Sequence, residues 1–124
     1  MTDWAPNDLD MIGEADEIQI TTLRQDGSAR PYKPIWVVRV DDALLVRSYR
    51  GGDGDWYRHA QHHPHGRIIV RGAEYDVGFA GAENASTAAV DQAYRDKYGA
   101  NSYVDAMTSD AAAATTMTLT PAPA

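Results

Sequence analysis

The sequence predicts a mainly β fold of the α+β class, with six short, mostly antiparallel strands forming a small barrel and two or three helices at its periphery. Three observations lead there. Stretches rich in β-branched residues and alternating in polarity recur at short intervals, as in residues 17–24 and 74–80. The first three are separated by turn signals, Asp26-Gly27 and Asp41-Asp42, too short to hold a crossover helix, which excludes a parallel sheet. The length, 124 residues, allows one compact domain.

Residues 3–16 read as a short N-terminal helix or arm with Trp4, Leu9, Met11 and Ile12 as its apolar contacts. Residues 17–24 (EIQITTLR) form the first strand, and 25–28 (QDGS) turn the chain, because Asp-Gly readily takes hairpin backbone angles. Residues 29–40 (ARPYKPIWVVRV) are a long second strand whose Pro31 and Pro34 mark an edge or an irregular start. Residues 43–48 (ALLVRS) run antiparallel to it and complete a meander. Three glycines in residues 49–54 (YRGGDG) break regular structure, and Asp55 is expected to cap a helix, WYRHAQHH, that ends before Pro64. A fourth strand spans 67–71, and a fifth spans 74–80 with Tyr75, Val77 and Phe79 on one face. Ser86 or Thr87 caps a helix running to Tyr98, with an apolar stripe through Ala89, Val90, Ala93, Tyr94 and Tyr98 and with Gly99 as its C-terminal cap. Residues 101–110 are a loop or short helix, and 114–119 supply the closing strand. The organisation is thus an arm (1–16), a barrel domain (17–120) and a flexible tail (121–124).

Composition narrows the function classes. Alanine supplies 20 of the 54 hydrophobic residues, and Leu, Ile, Val and Phe together supply another 20. So thin an aliphatic core favours a homodimer that buries aromatic surface between subunits. The absence of cysteine excludes disulfides, thiolate metal sites and cysteine nucleophiles. No apolar run reaches the roughly 20 residues that cross a bilayer, so no membrane partner is expected and a cytoplasmic location is the default. The net charge of −7 argues against nucleic acid. Its distribution is uneven: residues 1–23 carry −6, residues 24–71 carry +4, and residues 72–124 carry −5. A basic island inside an acidic protein suits a small anionic ligand.

That island contains the strongest local constellation, Arg47-Ser48-Tyr49-Arg50-Gly51-Gly52, followed by Trp56, Arg58 and His59. A strand delivering a hydroxyl and guanidinium groups to a glycine-rich break, with a helix starting just beyond, has the parts of a phosphate site. The same residues also fit an ordinary strand–loop–helix connection with solvated arginines. On the second strand, Lys33, Pro34 and Trp36 could flank a planar ligand, or Trp36 could be core and Lys33 surface. Four histidines (59, 62, 63, 65) invite a metal, with His59 and His63 four apart on a possible helix, but Pro64 breaks that helix before His65 and keeps the four imidazoles from converging, so no metal site is assigned. Tyr94 and Tyr98 read as packing residues and Lys97 as the partner of a carboxylate. Ser48 has no triad partners at a defensible spacing, and no catalytic residue is assigned.

Taken in order, several segments resemble the pyridoxamine-5′-phosphate-oxidase-like split β-barrel superfamily, in particular a small bacterial branch near the deazaflavin-dependent nitroreductase-like proteins. The matching pieces are Ile20-Thr21-Thr22 with Asp26-Gly27, Pro34-Ile35-Trp36-Val37-Val38, Leu45-Val46-Arg47-Ser48 with Gly51-Gly52, Trp56-Tyr57-Arg58-His59-Ala60 with Pro64 and Gly66, and Ala93 to Gly99. The resemblance spans residues 17–120. It implies a six-stranded antiparallel split barrel that forms a homodimer, with FMN or a deazaflavin in a groove between subunits and a small organic molecule as substrate. In this superfamily a Ser-x-x-Gly-Gly-like loop and the following helix hold the phosphate end, which carries over to Arg47, Ser48, Gly51, Gly52, Trp56, Arg58 and His59, with Arg47, Arg50 and Arg58 expected to neutralise phosphate. Lys33, Pro34 and Trp36 would border the ring. Two departures stand out: Arg58-His59 replaces an asparagine, and residues 23–27 (LRQDG) replace the Gly-Arg-Lys-Ser-Gly-like turn that helps grip phosphates. The alternative is a cofactor-free binding module, or a cofactor-independent biosynthetic enzyme, on the same fold.

Overall fold

A computed structural model describes residues 4–81 and 86–121; the far ends of the N-terminal arm (1–3) and of the tail (122–124) lie outside the described residues. Seven strands make one antiparallel sheet: β1 (Ile18–Thr22), β2 (Lys33–Ile35), β3 (Val38–Val40), β4 (Ala43–Val46), β5 (His65–Val70), β6 (Ala73–Gly81) and β7 (Met117–Pro121). Their order across the sheet is β2-β1-β5-β6-β7-β4-β3. The two edge strands are consecutive in the chain and separated by just Trp36 and Val37. The sheet is therefore curled until its edges meet at those two residues, as in a split barrel.

This arrangement corrects the expected single strand over 29–40. Its first part pairs with β1 (Ile18 opposite Ile35) and its last part with β4 (Val38 opposite Leu45), so one run serves two edges and the strand count is seven instead of six. Alternation fails at the break, where Ile35, Val37 and Val38 are all buried. Pro34 is accommodated because β2 is an edge strand.

Among the described residues five α-helices surround the sheet, more than the two or three expected: α1 (Pro6–Glu14), α2 (Asp55–His62), α3 (Thr87–Tyr98), α4 (Ser102–Met107) and α5 (Asp110–Ala113). The α3 caps follow the sequence reading: the Ser86 hydroxyl accepts from the Ala89 amide, and Gly99 ends the helix at φ +82°. At α2 the reading is corrected, since Gly54 is the N-cap and Asp55 is the first helical residue.

One apolar cluster fills the barrel, where Ile12 and Leu9 of α1 meet Ile18, Ile20, Leu44, Val46, Ile68, Val77, Phe79 and Leu119. A second lies outside β3 and β4, where Val38 and Leu45 pack against Val90 and Tyr94 of α3 and Val104 and Met107 of α4. All but Leu23, Val40 and Ile69 of the twenty Leu, Ile, Val and Phe side chains are buried, so the thin aliphatic set is used almost completely. Gly66 on β5 is required by close approach, because a Cβ there would collide with the Thr21 carbonyl on β1 and the Phe79 ring on β6.

Candidate functional site

The break between β2 and β3, the end of β4, the start of α2 and one face of α4 surround a cavity of about 600 Å³. Lys33, Pro34 and Ile35 enter it from β2, Trp36 from the break, Ser48, Tyr49 and Arg50 from the loop after β4, Trp56 from α2, and Tyr103 and Met107 from α4. Glu17 and Asp55 add two carboxylates to the wall. Its volume and its mixed aromatic and polar lining are those of a small-molecule pocket.

The Trp36 wall is set by stacking. Its ring lies on Tyr98 with centroids 3.9 Å apart and planes 6° from parallel, and it meets Tyr103 edge-on at 6.5 Å. Lys97 and Tyr98 of α3 both donate to the Val37 carbonyl, at 2.6 and 3.2 Å, and so satisfy the backbone left unpaired where the strand breaks. Lys97 thus bonds a carbonyl and not the expected carboxylate. Burial pushes its pKa down to about 8, opposed by Asp16. Burial also pushes the Tyr94 and Tyr98 hydroxyls up, which suits packing residues.

Arg47, to which the resemblance gives a phosphate-binding role, touches the wall of the cavity. It is fully buried, and its guanidinium is engaged by the protein itself. Nη1 donates to Asp91 at 2.5 Å and to the Met107 carbonyl at 2.9 Å, Nε donates to Thr116 Oγ1 at 2.8 Å, and the group stacks over Tyr94 at 5.5 Å. Its charge is neutralised by a carboxylate 44 residues away in the chain, which no local pattern discloses. The neighbouring Ser48 amide donates to Thr115 Oγ1 at 2.8 Å, so the loop leaves β4 anchored to the segment after α5.

Of the other sequence-predicted residues, Lys33, Pro34, Trp36, Ser48, Arg50 and Trp56 come together on the main cavity, while Gly51, Gly52 and Arg58 line neither it nor its side chamber. Gly51 instead packs beside Ala111 of α5 at φ +63°. Gly54 lies against Ser48 so closely that a Cβ would overlap the Ser48 hydroxyl. His59 lies in the side chamber, of about 210 Å³, which shares Lys33, Asp55 and Trp56 with the main cavity and adds Thr21, Thr22, Arg24 and Arg30. Lys33 faces Asp55 at 3.6 Å, with both side chains more than half exposed. Among the described residues, no group of three or more His, Asp or Glu is placed to hold a metal ion. Nor is any helix long and apolar enough to cross a membrane.

The residues that sequence reasoning missed are Tyr103 and Met107, Glu17, and the chamber's Arg24. Tyr103 and Met107 reach the cavity from α4, far along the chain from the glycine loop, so no spacing signals them. Tyr49 lay inside the quoted hexapeptide, and its 57% exposure together with the 61% of Tyr103 marks an aromatic pair at the cavity rim, 6.3 Å between centroids.

Comparison with solved structures places the fold among split-barrel proteins of the pyridoxamine-5′-phosphate-oxidase-like kind. The heme storage protein HutZ from Vibrio cholerae superposes with TM-score 0.65 at 14% identity, covering 96% of this chain and 90% of that one. An F420 reductase gives 0.57 at 15% identity, with 93% and 92% covered. A putative pyridoxamine 5′-phosphate oxidase from Listeria innocua gives 0.56 at 11% identity, with 94% and 90% covered. At such identities the likeness is one of fold. Within that class, the profile of the bacterial family described as "uncharacterized protein conserved in bacteria" (DUF2255) matches residues 8–119, and the chain belongs to this family. Comparison with proteins of curated function returned no match.

Proposed function

We propose that the chain is an oxidoreductase that binds FMN or a deazaflavin in the main cavity, at a homodimer groove, and acts on a small organic molecule. The observation that carries this reading is the cavity itself: about 600 Å³ of space at the seam of the barrel, walled by Trp36, Trp56 and Tyr103. Solved split barrels that include an F420 reductase and a putative pyridoxamine 5′-phosphate oxidase support it by analogy of fold.

The residues present fit a planar ring bearing an anionic tail. Trp36 is held flat by Tyr98 and offers a rigid stacking wall. Lys33 and Arg50 supply positive charge beside it, and the Ser48 hydroxyl is the polar group of the loop. When bound, the cofactor would supply the electron-pair transfer. The protein binds and orients the ring, balances the anionic charge and excludes water from the seam. The exposed Tyr49–Tyr103 pair at the rim is the surface a second copy would cover in the homodimer.

Purified protein titrated with FMN and with a deazaflavin should show a saturable change in flavin fluorescence and a rise in unfolding temperature with one of them. No change with either overturns the proposal and leaves a cofactor-free ligand-binding module as the reading of the cavity.

A further inference from the structure

We propose that the outer end of the main cavity, where Trp36, Tyr103 and Tyr49 meet the wall that carries Glu17, is a subsite for an alkylated ammonium group, and that the substrate is an organic cation. The proposal deepens the proposed function by naming its substrate class, and rests on that reading only for calling the cation a substrate.

Three rings make the box. Trp36 and Tyr103 have centroids 6.5 Å apart with planes inclined at 67°, and Tyr103 and Tyr49 have centroids 6.3 Å apart with planes at 43°. Rings inclined in this way do not cover each other, and one cation can stand about 5 Å from the centroids of two of them at once. Trp36 cannot swing out of the box, because Tyr98 is stacked on it. Among the described residues, Tyr49 and Tyr103 are the large hydrophobic side chains left exposed, and both line this cavity. Their faces carry partial negative charge, which attracts a weakly hydrated cation more than a neutral group of the same shape.

Glu17 completes the set. It lies one position beyond the Ile18–Ile35 pair, opposite Trp36 in the register of β1 and β2, and it lines the same cavity. Among the described residues it enters no ion pair. Most other charges near the box are matched within the protein. Lys33 faces Asp55 and Arg47 is held by Asp91. Behind Trp36, Lys97 lies 5.1 Å from the Tyr98 ring with Asp16 as its opposing carboxylate. Arg50 is the cation on the cavity wall without an ion pair, and the proposed function gives it to the anionic end of the cofactor. With that end in place, Glu17 is the wall's unmatched charge. A cation against Glu17 and Tyr103 then lies beside a ring stacked on Trp36, where a substrate must lie.

The test uses the full chain with choline and with 3,3-dimethylbutan-1-ol, which has the same shape and no charge. The choline methyl proton resonance should move upfield saturably, because aromatic faces shield a group lying on them. The alcohol should bind about tenfold more weakly or worse. Glu17→Gln, a change at an exposed side chain that leaves the fold intact, should weaken choline about tenfold and leave the alcohol unaffected. Tyr103→Leu should diminish the upfield shift. Absence of a saturable shift, equal affinity for the two probes, or unaltered choline affinity in Glu17→Gln overturns the proposal. Repeating the titration with FMN or a deazaflavin present separates the two readings. Simultaneous binding supports both. Choline binding without cofactor binding leaves the cation subsite standing and removes the cofactor reading. Cofactor binding without a choline shift does the reverse, and mutually exclusive binding overturns the assignment of the cation as substrate.

Discussion

At the wall of the main cavity, Arg47 is enclosed by β4, α3 and α4, and its guanidinium meets Asp91, Thr116, the Met107 carbonyl and the face of Tyr94. Beneath α2, Arg30 borders an open chamber with cations around it and one of its nitrogens unmatched. Both come from the same basic third of the sequence. The difference lies in who neutralises them. A buried charge with a carboxylate and hydrogen bonds of its own is part of the fold, whereas Arg30 keeps a buried nitrogen without a partner among the described residues.

The comparison is broken most directly at Arg47. Arg47→Ala leaves Asp91, which is only 18% exposed, without its partner and should lower unfolding free energy by about 3–5 kcal/mol in a denaturant titration. The double variant with Asp91→Ala should lose less than the sum of the two single losses. A surface ligand-binding arginine would show neither effect. Next in size, Gly66→Ala forces a methyl against the Thr21 carbonyl, under the chamber, and should cost about 1–3 kcal/mol by the same measurement.

Lys97 adds a dependence on pH. Its folded pKa, about 8, lies below the 10.5 of the free side chain, so the unfolded chain holds more protons between those values. Stability should therefore rise from about pH 8 toward pH 10. The tyrosines that burial keeps neutral, Tyr94 and Tyr98, reverse the trend above pH 10. Lys97→Met should remove the rise, as read from unfolding temperature against pH. The smallest effect on stability is expected at Asp55→Asn. The exposed Lys33–Asp55 pair is worth at most about 1 kcal/mol, as read from a denaturant titration.

What could be read from the sequence was what neighbours in the chain decide. The hairpin alternation of β5 and β6 and the Ser86 and Gly99 caps of α3 depend on residues within a few positions of each other. The break at Trp36-Val37 did not announce itself, because Pro-Ile-Trp-Val-Val is as apolar as a continuous strand and just the curling of the sheet divides it. The seam residues Lys33, Pro34 and Trp36 and the loop residues Ser48 and Arg50 were named from local chemistry, and the structure gathers them on one cavity. Asp91, Tyr103 and the unmatched Arg30 Nε needed tertiary contacts to acquire meaning. The net charge of the middle third divides in the same way, with Arg39 taken by Asp10, Arg67 by Asp76 and Arg47 by Asp91.

The central claim, that the seam of the barrel holds a flavin-type ring against Trp36, is tested most directly by the dissociation constant for FMN and for a deazaflavin in wild type and Trp36→Leu side by side. The account predicts saturable binding of one cofactor and at least a tenfold weaker constant in the variant, while the variant still unfolds cooperatively. Equal constants in the two proteins, or no binding of either cofactor to wild type, would contradict it.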